Sequence, residues 1–106
     1  MHQQYHIYRN ANPNSQQHIP YLLNVQANLL SRLNTVTVIP VYRADQLHGA
    51  IIKRLMITVT IEQVDCVIVT PEIAAIPCKL LGECVDDLSF LRGDIIAALD
   101  LLLTGV

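Results

Sequence analysis

For two thirds of its length the chain alternates apolar and polar positions in short runs, and only at its end does the period lengthen to that of a helix. Tyr5-His6-Ile7-Tyr8 predicts a strand, closed by the loop Asn10-Ala11-Asn12-Pro13-Asn14-Ser15, whose Asn and Pro residues favour turns. A second strand follows Pro20, from Tyr21 to Val25. From Thr35 to Tyr42, Val36 and Val38 face one way while Thr35 and Thr37 face the other. Pro40 has no amide to give to a ladder, which predicts an edge position or a bulge there. Ile57-Thr58-Val59-Thr60-Ile61 alternates cleanly, and Cys66 to Thr70 answers it across Glu62-Gln63-Val64-Asp65, which predicts a hairpin. Pro71 and Pro77 bracket a brief segment, Glu72 to Ile76. Ser89 then serves as an N-cap, Phe90 to Leu103 has helical spacing, and Gly105 stands where a helix ends. Strands followed by one terminal helix predict a β-rich α+β fold, a small β-barrel or sheet with an appended helix, as a single domain over residues 1–106.

The helix carries more apolar surface than one core requires. Leu91, Ile95, Ala98, Leu99 and Leu102 form one stripe to bury. At 100° per residue, Gly93, Ala97, Asp100 and Thr104 share a second face made mostly of small side chains, with Ile96 and Leu103 between the two. A helix with a single buried stripe would carry charges there. Two readings remain open at this point: a helix sunk in its own core, and a smooth surface against which another chain packs.

Composition narrows the classes. With 52% hydrophobic and 15% charged residues the chain is not disordered, and no apolar run reaches the roughly 18 residues of a membrane span, Asp100 interrupting the longest. No signal peptide is legible in MHQQYHIYRN, and three cysteines without metal or redox spacing suit a reduced, cytoplasmic protein. Residues 1–54 carry Arg9, Arg32, Arg43, Lys53 and Arg54 against Asp45 alone, while residues 55–106 carry eight acidic residues against Lys79 and Arg92. Neither half has the dense cationic cluster that nucleic acid requires, so no direct nucleic-acid contact is expected. The basic half suits a flexible acidic partner segment, and equally a merely solvated face. No phosphate loop is present. His2, His6, His18 and His48 read as surface histidines rather than metal ligands; Cys66 reads as a core residue of its strand, Cys78 and Cys84 as flanking a loop, and all three as inert thiols with no base placed beside them. Asp86 and Asp87 stand where a helix N-terminus favours negative charge. No catalytic residue, metal or cofactor is expected.

Several strings together resemble the CcdB family: YRNANPNSQQHIPYLLNVQANLLSRLNT, the strand end VIPV, TPEIAAIP followed by LGECVDDLS, and IIAALDLLLTGV, in register over nearly the whole chain. The resemblance implies a toxin of a toxin–antitoxin module that binds the DNA gyrase A subunit, traps the cleaved gyrase–DNA complex, serves plasmid maintenance in plasmid-borne members, and is neutralised by a CcdA-like antitoxin. It implies an SH3-like small β-barrel with an extra small sheet and a long C-terminal helix, assembled as a homodimer. Carried over position by position, the gyrase-binding residues would be Leu29, Leu30, Ser31, Arg92, Gly93, Ile96, Ala97, Asp100, Thr104, Gly105 and Val106. Arg9 and Arg43 would meet the antitoxin.

The chain departs from the family pattern in places. Thr104 stands where a plasmid member has Trp, and Val106 where members have Ile. Gly93, Ile96 and Ala97 replace polar groups, and Asn24 and Asn28 replace carboxylates. Val36 stands for a usual Arg, Met56-Ile57 for an Asn-Pro, and Gln63-Val64-Asp65 for a Gly-containing turn. Two other classes stand beside the gyrase-directed toxin. One is a MazF-type endoribonuclease, which shares the fold by family resemblance but needs a cationic groove and an acid/base pair. The other is a non-toxic dimer that only binds antitoxin.

Overall fold

The structure, a computed structural model, describes residues 2–49 and 51–105. Its β-branched and aromatic positions fall into seven strands: β1 (His6–Asn10), β2 (Tyr21–Asn24), β3 (Thr35–Arg43), β4 (Met56–Ile61), β5 (Val64–Val69), β6 (Ala74–Pro77) and β7 (Leu81–Asp87). One helix, α1 (Arg92–Thr104), follows them. Every pairing is antiparallel, and the sheet runs β4-β5-β3-β2-β1-β7. β6 branches off this path onto the first half of β3. The architecture is therefore the expected β-rich α+β one, a curled antiparallel half-barrel closed by a C-terminal helix, with the small additional sheet reduced to that branch.

Alternation along the strands gives the sheet two apolar faces. On the inner face Ile7, Leu23, Ile39, Val41, Ile61 and Ile68 meet Leu88 and the helix residue Ile95, all buried. On the other face Tyr8, Leu22, Val36, Val38 and Leu81 form a second, smaller cluster. The helix is thus a plug: Ile95 and Ala98 are buried, and Leu91 and Leu99 pack against the main cluster from its edge.

Four local expectations are corrected. Pro40 lies neither at an edge nor in a bulge, since β3 is central and pairs Pro40 with Leu22 in unbroken register. Thr37 accepts from Val25 and Arg43 donates to His18, both on the β2 side, so the amide that Pro40 lacks faces the opposite flank. There β6 has ended at Val38 and β5 begins only at Val41, so no bond is lost. The hairpin turn is Glu62-Gln63 alone, both at positive φ (50° and 67°), and β5 already starts at Val64. Cys84, expected beside a loop, lies within β7. Ser89 does not begin the α-helix. Ser89–Leu91 is a 3-10 turn that feeds α1; Leu88 and Leu91 occupy the two N-cap positions and make no side-chain cap bond, while the Asp87 carboxylate just before them accepts from the Ser89 amide (2.9 Å) and hydroxyl (2.5 Å). Those bonds hold the Asp87 carboxyl below its ordinary value.

Candidate functional site

The outer face of α1 is built by what its inner face requires. With Ile95 and Ala98 committed to the core, helical geometry turns Arg92, Gly93, Ala97, Asp100 and Thr104 to solvent, and all five are exposed. Ile96 is half-buried, and Leu103 is 77% exposed. A Cβ built on Gly93 would meet nothing within 4 Å, so no contact inside this chain explains a glycine there. The helix ends at Gly105, in the left-handed conformation at φ 78°, where its amide returns to the Leu101 carbonyl (2.9 Å). The Thr104 hydroxyl folds back onto the Asp100 carbonyl (2.6 Å). Val106 lies outside the described residues.

The Leu29-Leu30-Ser31 segment is held by side chains that no sequence pattern singles out. Asn28–Leu30 forms a 3-10 turn, and Gln26 staples it: its amide nitrogen donates to the Leu30 carbonyl (3.1 Å), while its oxygen accepts from the Thr37 amide (3.1 Å). The Asn28 side chain accepts from the Gln4 amide (2.7 Å). So fixed, Leu29 stands 86% exposed, with Leu30 and Leu33 exposed beside it. The turn's described side-chain hydrogen bonds run to the N-terminal segment and to Gln26, which links it to β3, none to α1. Within one chain the two parts of the expected surface are carried by separate elements.

Arg9 and Arg43 are already paired. The Arg9 guanidinium reaches Glu62 (2.7 Å) and Glu83 (3.2 Å), and Arg43 reaches Asp45 (3.2 Å). Glu62, at the tip of the β4–β5 hairpin, also accepts from the Tyr21 hydroxyl (2.6 Å). Tyr21 and Arg9, in that order, hold the Glu62 carboxyl below its ordinary value. Burial and the Glu62 carboxylate push the Tyr21 phenol up to about 12. The network thus ties one end of the sheet back to β1, β2 and β7. A glycine eases the close approach of β7 to β1: a Cβ on Gly82 would stand 3.1 Å from the Arg9 carbonyl oxygen, so the two strands would have to give by a few tenths of an ångström.

Among the described residues no group of three or more His, Cys, Asp or Glu side chains is placed to hold a metal ion, and no helix is long and apolar enough to cross a membrane. Cys66, Cys78 and Cys84 are free thiols, and burial pushes the Cys66 thiol up, away from thiolate chemistry. A groove of about 660 Å³, which no sequence pattern announces, opens between β4 and the first turns of α1, with Lys53 and Arg54 on its rim.

The sequence matches the family described as CcdB protein over residues 4–105. No curated protein matches it closely enough to count as a relative. Solved structures share its fold. An endoribonuclease in complex with its cognate antitoxin from Mycobacterial species superposes with a TM-score of 0.76, covering 97% of this chain and 95% of that one at 13% identity. A structure described as an Mtb toxin gives 0.70 at 16% identity, over 92% and 99%. The Mycobacterium tuberculosis toxin MazF-mt6 gives 0.67 at 16% identity, over 94% and 95%. At such identities the likeness speaks for the fold alone.

Proposed function

The chain belongs to the CcdB family, the toxins of toxin–antitoxin modules, and from that premise we propose that it binds the DNA gyrase A subunit and traps the enzyme with its DNA cleaved. The observation that carries this reading is the exposed outer face of α1, where no contact within the chain explains the glycine at Gly93. Arg92, Gly93, Ile96, Ala97 and Asp100 supply the face, and Thr104-Gly105-Val106 inserts between the gyrase subunits. Leu29, Leu30 and Ser31 add an apolar contact from a second element. A twofold homodimer, covering part of Leu103 and its neighbours, presents two copies of the face as one bipartite surface. The protein works by binding, with no catalytic step of its own. A CcdA-like antitoxin neutralises it, and where Arg9 and Arg43 meet that partner they exchange one carboxylate for another.

The deciding experiment is induced expression in strains with wild-type and toxin-resistant gyrase, alongside cleavage assays with purified gyrase. Growth arrest relieved by the resistant allele, with cleaved DNA trapped in vitro, is the expected result. Deletion of Gly105 and Val106 abolishes both while leaving thermal stability nearly unchanged. Defined cleavage of single-stranded RNA by the purified protein would replace this reading with the endoribonuclease one. Expression without growth arrest would leave a dimer that only binds antitoxin.

A further inference from the structure

The two edges of the sheet are not alike. β7 carries Glu83, Asp86 and Asp87 and is broken by register shifts against β1, both of which deter another strand from adding to it. β4, Met-Ile-Thr-Val-Thr-Ile, has no charge, no proline and an unbroken register with β5. The Thr70 amide donates to the Leu55 carbonyl, so the odd-numbered residues of β4 turn their backbone groups to β5. Met56, Thr58 and Thr60 turn theirs outward. The Met56 amide is taken by the Ile52 carbonyl, and among the described residues nothing bonds the outward backbone of Thr58 or Thr60.

This open edge borders the groove of about 660 Å³, whose far wall is Leu91, Asp94 and Ala97 of the helix. At the entry to β4 stand Lys53 and Arg54, exposed and, among the described residues, in no ion pair, unlike Arg9 and Arg43. An apolar trough, a row of unsatisfied backbone groups and uncompensated positive charge lie together. We propose that this edge takes an extended, acidic peptide segment of a partner chain, which adds to β4 as a further strand. Its backbone bonds Thr58 and Thr60, its inward side chains rest on Met56, Leu91 and Ala97, and its carboxylates meet Lys53 and Arg54. Asp94 keeps acidic side chains off the helical wall and so sets the acidic end of the segment at the β4 entry. The inference rests on the toxin–antitoxin reading only for the owner of the segment, the antitoxin.

The test titrates isotope-labelled full-length protein with a capped peptide alternating glutamate and valine, of about strand length. The Thr58 and Thr60 amides are expected to shift and gain protection from hydrogen exchange while the β7 amides stay unmoved. Lys53→Glu with Arg54→Glu should weaken binding at least tenfold, and the corresponding lysine–valine peptide should not bind. Thr58→Pro, which removes only an outward amide, should keep the melting temperature and lose the peptide. Equal binding of the lysine peptide, unchanged Thr58 and Thr60 amides, or no binding at millimolar peptide would each overturn the proposal. So would sedimentation in which wild type is a dimer and Thr58→Pro a monomer, since a second copy would then own the edge. None of these outcomes bears on gyrase trapping, which is decided separately.

Discussion

Thr70 holds the buried side-chain oxygen that finds no hydrogen-bond partner among the described residues. Its methyl packs while its hydroxyl sits desolvated and unpaired, so Thr70→Val is expected to stabilise the fold by about 1 kcal/mol. A higher urea midpoint at unchanged slope is the signature to look for. Glu62 works in the opposite sense. Its folded-state pKa is depressed by Tyr21 and Arg9, so its stabilisation is present above the ordinary carboxylate range and is lost as pH falls through the folded value. Glu62→Gln should therefore be less stable than wild type at neutral pH and converge with it in acid, as paired unfolding curves at descending pH would show. Tyr21 and Tyr42, both raised to about 12, add the alkaline limb: stability falls as pH climbs from about 10, where the unfolded phenols ionise and the folded ones do not. None of these partnerships is legible in the sequence. Arg9 and Glu62 are separated by 53 positions, and only the curl of the sheet joins them.

At the scale of the element, α1 offers the sharpest separation of stability from function. Gly93 is exposed and unobstructed, so Gly93→Ala should stabilise the helix by about 0.5–1 kcal/mol. If its small face meets gyrase, the same change lowers toxicity while raising the melting temperature. The helix, its glycine stop and the β4–β5 hairpin were legible because periodicity and end signals agree over many residues. β7 was not: Gly82, Glu83, Asp86 and Asp87 break the alternation, as an edge strand with one wet face allows. Pro40 misled for the converse reason, because sequence gives no sign that β3 changes neighbours at that residue. The outer face of α1 could be drawn from spacing alone, whereas the Leu29 turn depends on the Gln26 side chain bridging two backbone segments and has no periodic signature.

For the molecule as a whole, one plug secures the curl. Ile95 is 1% exposed and touches a cluster drawn from β1, β2, β3, β4 and β5, so Ile95→Ala should cost about 2–5 kcal/mol and loosen every strand together. A single cooperative transition at lower temperature is the expected observation, and separate transitions for sheet and helix would contradict it. The position of β1 has a further consequence, for the time course of synthesis. It lies between β2, its neighbour in the chain, and β7, which pairs His6 with Asp87. On a ribosome the outer edge of β1 must wait until the chain has grown through β7, and the inner apolar face waits longer still for Ile95. Closure of so long a loop is slow compared with hairpin formation. The helix face proposed to meet gyrase therefore takes shape only after much of the sheet is already in place.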